Sequence, residues 1–225
     1  MAIDKLLKRL NHRHDDLVMI RTNECLDAKT SKLYLDILLE KTNNEGTLVM
    51  LGDCEFNTSA EGDDFLMALQ PQERFILSST KMMQLASLKH ESQFAYHPGI
   101  SLLSLGKYAK LFSRPQSLDF PYGEESVFSD LYDLNAVIIF VSAKHIPFEA
   151  KYALHDLDEK VIIKNTSAIE GELIPYLDYE VNWKLLHGIV FGSGLMLYEI
   201  EDDLIIYGVR YKDYIDYIKK RIVFD

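Results

Sequence analysis

The chain has 225 residues, and its 24 lysines and arginines against 35 aspartates and glutamates leave a formal net charge of −11. Hydrophobic residues make up 48% and charged residues 26%, which is the composition of a globular protein and excludes a disordered or fibrous one. The acidic excess argues against a nucleic-acid-binding protein, because contact with backbone phosphates requires a basic surface.

The sequence also indicates where the protein is found. No apolar run approaches the roughly 20 residues of a membrane-spanning helix, and the first residues lack the apolar core of a signal peptide. Its two cysteines, Cys25 and Cys54, are too few for a disulfide framework. No pair of the seven histidines shows a recognised ligand spacing with cysteine or glutamate, so we expect no metal. We therefore expect a cytoplasmic protein without membrane contact.

The first part of the chain alternates between helical and strand patterns. Apolar spacing predicts helices over 3–11 and 30–41, and strands over 17–20 and 47–51. Thr30 or Ser31 is the expected N-cap of the second helix. A strand, a helix and a strand within about 35 residues predict a crossover unit with parallel strands.

The rest of the chain is less regular until residue 136. The pattern predicts a helix over 80–90, an extended segment over 94–96, one or two helical turns over 106–112, and a loop over 115–123. The most apolar run, 136–141, predicts a central parallel strand. It is followed by a predicted helix over 148–158, a strand over 161–163, short strands over 195–198 and 204–207, and a final helix over 213–222. We therefore expect an α/β fold: a single domain over 1–225 with a mixed sheet flanked by helices.

The helix predicted over 148–158 carries the most suggestive pair of titratable residues. His155 and Asp158 are three residues apart and so share a helix face, where a carboxylate can hold an imidazole in one tautomer. Such a pair can serve as a general base with its orienting acid. The alternative is an exposed histidine on a solvated acidic helix.

Two further motifs carry weaker signals. His97-Pro98 leads towards Ser101 and is predicted to enter a loop, where such a pair is often only a turn device. The turn over 121–126 has amides that can bind a phosphate, but an ordinary β-turn with Ser126 as an N-cap explains it equally well.

Taken in chain order, several stretches resemble the motifs of one enzyme family. The family's strand ending in His-Ser-Ser corresponds to residues 16–23 of this chain, and its Gly-Thr-Leu-Val-Met to residues 44–50. Its His-Pro-x-His-Ser followed by Leu-Gly corresponds to residues 97–106, and its Pro-Phe-Gly-x-Gly-Ser to residues 121–126. Its Leu-His-x-x-Glu corresponds to residues 153–158. The end of the chain, 187–222, is similar to the family's closing hairpin and helix. On these motifs the sequence resembles the aminoglycoside 3-N-acetyltransferase family, also called the antibiotic N-acetyltransferase family, whose fold differs from that of the GNAT acetyltransferases.

The resemblance implies a function and a set of site residues. The family transfers an acetyl group from acetyl-CoA to the amine of an aminoglycoside, an amino sugar or a related small molecule. By the resemblance, His155 is the base that takes the amine proton, Asp158 orients it, and His97 is a third catalytic candidate. The residues implied for binding acetyl-CoA are Thr22, Asn23, Ser101, Gly123 and Ser126. The implied partners are a small-molecule amine and, as an option, a second copy in a homodimer.

The sequence departs from the family pattern at three of these motifs. Arg21-Thr22-Asn23 stands where the family has His-Ser-Ser, Ile100 replaces the second histidine of the His-Pro motif, and Glu125 replaces a glycine of the Phe-Gly turn. These changes leave a second hypothesis open, in which the chain is a catalytically inactive relative that binds a partner or a metabolite.

Overall fold

The structure is a computed structural model, which describes residues 1–22, 26–43, 45–53, 80–89, 91–97, 100–117, 119–142, 148–154, 161–167, 173–179 and 181–222. The described strands are β1 (Leu17–Thr22), β2 (Thr47–Asp53), β3 (Gln93–His97), β4 (Ile100–Gly106), β5 (Val137–Val141), β6 (Val161–Ser167), β7 (Leu173–Tyr179), β8 (Leu197–Glu201) and β9 (Leu204–Arg210). The described α-helices are α1 (Ala2–Arg9), α2 (Ala28–Thr42), α3 (Lys81–Ser87), α4 (Val127–Asp133), α5 (Trp183–Gly192) and α6 (Tyr211–Ile222). Two 3₁₀ helices, η1 (Leu111–Ser113) and η2 (Phe148–Leu154), complete the described elements.

Seven of these strands form one mixed sheet in the order β3-β4-β2-β1-β5-β9-β8. β1 lies at its centre and runs parallel to both β2 and β5, while the remaining pairs in the sheet are antiparallel. β6 and β7 form a separate antiparallel hairpin. The predicted α/β class, with parallel strands first and antiparallel strands at the end, is confirmed.

Helices cover both faces of the sheet, as predicted. The core on one face is completed by α1, α2 and α3. On the other face it is completed by η1, α4, η2, α5 and α6. Every residue of β1 and β5 is buried, since these strands have helices on both sides. This explains why 136–141 is the most apolar run in the sequence.

Two local predictions are wrong. α2 begins after Asp27, whose side chain accepts a hydrogen bond from the Thr30 amide at 2.8 Å, so neither Thr30 nor Ser31 is the N-cap. Residues 100–106 form β4 rather than a loop running into helical turns. Its two serines, Ser101 and Ser104, are buried and interrupt the apolar pattern that marks an internal strand.

The sequence pattern does not predict the helix α5. Asn182 caps it by accepting a hydrogen bond from the Leu185 amide at 3.1 Å, and only Leu186 and Val190 among its described side chains are buried. Two buried positions one turn apart are too few to show helical spacing in a sequence. The helix predicted over 148–158 is the 3₁₀ helix η2 up to Leu154, and the residues beyond lie outside the described part.

Candidate functional site

A group of buried charged and phenolic side chains surrounds η2. We call it the η2 cluster; it consists of Arg21, Tyr122, Glu149, Lys151, Asp178, Tyr211 and Tyr214. These residues come from β1, the turn before α4, η2, β7 and α6, so the cluster forms only when the chain is folded. Charged side chains are rarely fully buried unless they are paired, which marks the cluster for closer inspection.

Arg21 and Glu149 form one ion pair of this cluster. Arg21 extends from β1 on the sheet face that η2 covers, and its Nη1 lies 3.6 Å from Oε2 of Glu149. The side chain of Glu149 is 0% exposed, and neither of its oxygens accepts a hydrogen bond from another described residue. The pair is therefore an electrostatic contact without hydrogen-bond geometry.

Lys151 and Asp178 form a second and tighter ion pair. Nζ of Lys151 donates to Oδ1 of Asp178 at 2.6 Å, and the Tyr179 amide donates to the same oxygen at 2.8 Å. Lys151 also lies over the ring of Tyr122, at 4.7 Å from the centroid. The pair joins η2 to β7 with both partners at most 2% exposed.

Two tyrosines at the start of α6 complete the cluster. The hydroxyl of Tyr211 donates to the backbone carbonyl of Glu149 at 2.7 Å. The hydroxyl of Tyr214 is buried and has no hydrogen-bond partner among the described residues. Burial, and next the negative charge of Glu149, raises the pKa of each phenol well above its usual value, so both are neutral at physiological pH.

Burial also dominates the titration of Glu149. It raises the pKa of this carboxyl above its ordinary value, although the positive charge of Arg21 and a contact with the residue's own backbone act in the opposite direction. The cluster can thus hold fixed charges away from water, and its geometry fixes where η2 lies. Sequence analysis missed Glu149 and Lys151, because charged residues in a predicted amphipathic helix are expected to face the solvent. It missed Asp178, because the ion pair of Asp178 with Lys151 exists only in the folded chain.

The structure brings two of the predicted cofactor-binding residues to one edge of the sheet. Thr22 ends β1 and follows Arg21, which pairs with Leu51 of β2, and Gly52 is the residue that follows Leu51. Gly52 in turn pairs with Ser101 on β4. Thr22 and Ser101 therefore lie two strands apart, at about 10 Å, on either side of a glycine.

These two residues face away from the η2 cluster. Ile20 and Leu103, which lie two residues from Thr22 and Ser101, pack in the core under α1, α2 and α3. Because side chains alternate along a strand, Thr22 and Ser101 point to the same side, whereas Arg21 points to the other. The sheet itself thus separates these two hydroxyls from Arg21.

Gly123 and Ser126 lie on the side of η2 and belong to a turn held by its own hydrogen bonds. The Gly123 amide donates to Phe120 at 3.0 Å, and the Ser126 hydroxyl donates to the Gly123 carbonyl at 2.6 Å. Ser126 is also the N-cap of α4, since its hydroxyl accepts a hydrogen bond from the Ser129 amide at 3.4 Å. The β-turn with an N-cap is confirmed, and cofactor binding here stays a prediction.

The predicted catalytic residues are only partly within the described chain. His97 pairs with Ile100 at the end of β3, on the same sheet edge as Thr22, and its side chain lies outside the described part. His155, Asp158 and Asn23 also lie outside it. His155 is the residue that directly follows the end of η2 at Leu154.

A shallow groove of about 630 Å³ lies between α5 and α6. Lys184, Tyr217 and Arg221 are among the residues that line it, and no predicted site residue does. Within the described ranges, no three histidines, cysteines or acidic residues are grouped as a metal ion would require. Of the helices that the structure describes, none has the length and apolar character needed to cross a membrane.

Comparison with known proteins finds a family that resembles part of the chain. The model of the aminoglycoside 3-N-acetyltransferase family matches residues 90–196. The matched segment contains the three predicted catalytic residues, together with Ser101, Gly123 and Ser126. No curated protein sequence matches the chain significantly.

Solved structures show that the chain has the fold of the aminoglycoside acetyltransferases. YokD from Bacillus subtilis is 16% identical, with a TM-score of 0.79 over 99% of this chain and 98% of that one. AAC-IIIb, solved as a binary complex with CoASH, is 14% identical, with a TM-score of 0.72 over 97% of this chain and 93% of that one. AAC-VIa bound to sisomicin is 13% identical, with a TM-score of 0.72 over 97% of this chain and 94% of that one.

Proposed function

We propose that the protein is an N-acyltransferase that moves an acetyl group from acetyl-CoA to the amine of a small amino sugar or aminoglycoside-like substrate, with His155 as the general base. The observation that carries this proposal is the match to the family model over 90–196, which contains His97, His155 and Asp158. Two relatives of the same fold, one in complex with CoASH and one with sisomicin, support the choice of both substrates.

The chemistry requires a base and fixed hydrogen-bond donors. A sugar amine is largely protonated at neutral pH and must lose a proton before it attacks the thioester carbonyl. In the proposal His155 takes that proton, and Asp158 holds the imidazole in the tautomer that can accept it. The tetrahedral oxyanion that follows needs donors placed in advance. No covalent intermediate on the protein is required.

The sheet edge offers polar groups for the pantetheine arm of acetyl-CoA. Thr22 and Ser101 carry hydroxyls on either side of Gly52, and all three residues are buried. Asn23 follows Thr22 directly in the chain. In the proposal these residues bind the cofactor at the sheet edge, whereas Gly123 and Ser126, which lie on the η2 side of the sheet, would reach it only around the ends of the strands.

One observation favours the second hypothesis, an inactive relative that binds a partner or a metabolite. Arg21 stands at a position where the family has a histidine, and its guanidinium is buried beside Glu149. In a catalytically active relative, we would expect the side chain at this position to face a ligand. A protein that binds acetyl-CoA without transferring its acetyl group would fit this hypothesis.

Binding of acetyl-CoA is the first test. A ligand at 100 times its dissociation constant adds about 2.7 kcal/mol to the free energy of unfolding. For a chain of this length about 1 kcal/mol corresponds to roughly 2 to 4 °C in Tm, so we expect a rise of at least 5 °C in differential scanning fluorimetry. An unchanged Tm at millimolar acetyl-CoA would overturn the acyl-CoA assignment.

Acetyl transfer from acetyl-CoA to a panel of amino sugars and aminoglycosides is the second test. We expect His155→Ala to lower kcat by about 10²- to 10⁴-fold, the contribution of a positioned base, without weakening acetyl-CoA binding. His187→Ala is the control, since His187 is exposed on α5 and stacks only on Phe191 among the described rings. Parent-like activity of His155→Ala would show that another group is the base.

A further inference from the structure

The shallow groove between α5 and α6 contains none of the residues assigned to acetyl transfer; we call it the α5–α6 groove. Its volume of about 630 Å³ falls within the roughly 300 to 1,000 Å³ that is typical of small-molecule sites. Residues of α5 form one wall, and Tyr217 and Arg221 of α6 lie on the other. The groove therefore has the size of a site for a small molecule.

The wall formed by α5 is partly apolar and open. Leu185 is 49% exposed, and Ile189 lies one turn further along the same helix face. A Cβ added at Gly188 would meet no atom within 4 Å, so no other part of the described chain packs against the helix there. This wall offers a surface on which a flat, partly apolar ring can lie.

Two cations, Lys184 and Arg221, line the groove, and no acidic residue is among its described lining residues. Both side chains are exposed, and neither forms an ion pair with a carboxylate of the described chain. On a chain with a net charge of −11, two such cations in one groove favour an anionic ligand.

Helix stability explains one of these cations but not the other. Arg221 is in the last turn of α6, where the helix dipole favours a positive charge. Lys184 is in the first turn of α5, where the dipole disfavours it and where α5 has no acidic residue to compensate. The charge of Lys184 therefore does not serve the helix that carries it.

Arg221 also lies next to an aromatic ring. Its guanidinium carbon is 5.5 Å from the ring centroid of Tyr217, one turn earlier on the same face of α6. A guanidinium donates paired hydrogen bonds to a phosphate, and its planar face stacks on rings. An aromatic side chain likewise stacks on a nucleobase of any sequence. The α6 wall thus carries groups for both a phosphate and a base.

We propose that the α5–α6 groove binds a nucleotide. Lys184 and Arg221 bind its phosphates, and its base lies against Tyr217 and the apolar wall of Leu185 and Ile189. The nucleotide is either a free molecule or the nucleotide end of acetyl-CoA, since the two share this chemistry. Binding in the groove requires neither His155 nor the transfer of an acetyl group.

Isothermal titration calorimetry with ADP, GDP and UDP tests the site. We expect the parent to bind at least one of them, and Lys184→Gln and Arg221→Gln each to raise its Kd about tenfold, the usual contribution of a hydrogen bond to a charged group. Lys212→Gln is the matched control, because it removes a cation of α6 that lies over the ring of Tyr132. Its Kd should stay within about twofold of the parent value, since salt screens exposed charges at a distance.

Gly188→Leu tests the groove without removing a charge. The new side chain has room, because a Cβ at this position meets no atom within 4 Å, and leucine is the better helix former, so Tm should not fall. It occupies the space of the base, and we expect the Kd for the nucleotide to rise by about tenfold or more, the contribution of one stacked base.

Binding of acetyl-CoA to the same variants identifies the source of the nucleotide. If Gly188→Leu weakens acetyl-CoA as much as it weakens the nucleotide, the groove holds the nucleotide end of the cofactor; if acetyl-CoA binds as in the parent, the groove takes a free nucleotide. A parent that binds a nucleotide but not acetyl-CoA contradicts the proposed function and supports the groove.

Three results would overturn the inference. The first is the absence of binding by all three nucleotides at millimolar concentration. The second is a nucleotide Kd in Gly188→Leu that equals that of the parent; if sedimentation velocity then shows a changed oligomeric state, the groove is an interface between copies of the chain. The third is a rise in Kd in Lys212→Gln as large as those in Lys184→Gln and Arg221→Gln, which would reflect net charge and not the groove.

Discussion

At the scale of single residues, Glu149 connects burial with pH dependence. The groups that face it are Arg21 from β1, Tyr211 and Tyr214 from α6, and Tyr122 from the turn before α4. Burial raises the pKa of Glu149 above its ordinary value of 4.5 despite the charge of Arg21. When burial raises the pKa of a carboxyl in the folded protein, its contribution to stability is fully present at pH values below its pKa in the unfolded chain. This contribution is lost as the pH rises through the pKa of the folded state.

We therefore expect the stability of Glu149→Gln relative to the parent to be higher at pH 7 than at pH 4.5, because the amide does not carry the buried charge. The difference in the free energy of unfolding should shrink as the pH falls towards 4.5 and below, where the parent carboxyl is protonated as well. Urea unfolding at a series of pH values measures this. Arg21→Met is the matched comparison, and it should lower stability at pH 7 by leaving the carboxylate alone. If the stability of Glu149→Gln relative to the parent were lower at pH 7 than at pH 4.5, burial would not be raising the pKa of Glu149.

At the scale of elements, Ser126 shows how one residue type can suggest two roles. The sequence placed it either in a cofactor-binding turn or at the N-cap of the following helix, and the structure shows the cap of α4. Ser126→Ala should lower the free energy of unfolding by about 1 kcal/mol, or roughly 2 to 4 °C in Tm. Thermal unfolding measures the change.

Ser126→Thr is the control for that prediction. Threonine keeps both the hydroxyl that donates to Gly123 and the oxygen that accepts from the Ser129 amide, so it should retain most of the stability. If Ser126→Ala unfolds at the parent temperature, the cap contributes nothing measurable and the hydroxyl is available for another role.

The predictions for elements succeeded where periodicity was strong and failed where polar residues interrupted it. The parallel strands β1, β2 and β5 and the helix α2 were predicted to within a few residues, because burial on two faces or on one stripe leaves a clear pattern. The strand β4 was missed because buried serines hide its pattern, and Ser104 is satisfied there by the Ala109 carbonyl at 2.9 Å. Such a partner exists only in the folded chain.

At the scale of the whole molecule, the net charge of −11 should make stability depend on salt. Mutual repulsion of the acidic residues destabilises the compact state, and added salt screens it. We expect the Tm at pH 7 to rise by roughly 2 to 4 °C between low and physiological concentrations of sodium chloride, equivalent to about 1 kcal/mol. The rise should be smaller near pH 5.1, the isoelectric point of the sequence. An equal rise at both pH values would show that screening of the net charge is not its cause.

The sequence by itself determined the α/β class, the central parallel strands and, through the order of its motifs, the resemblance to the aminoglycoside 3-N-acetyltransferases. Composition and hydrophobic periodicity are local properties of the sequence. They indicate the fold class and the central strands because a buried strand or an amphipathic helix has a recognisable pattern of apolar residues. Only the tertiary structure decided that Arg21, Glu149, Lys151 and Asp178 meet around η2, and that Thr22 and Ser101 face the opposite side of the sheet. These facts depend on strand order, register and the packing of η2, because contacts between residues far apart in the sequence leave no local pattern in the chain.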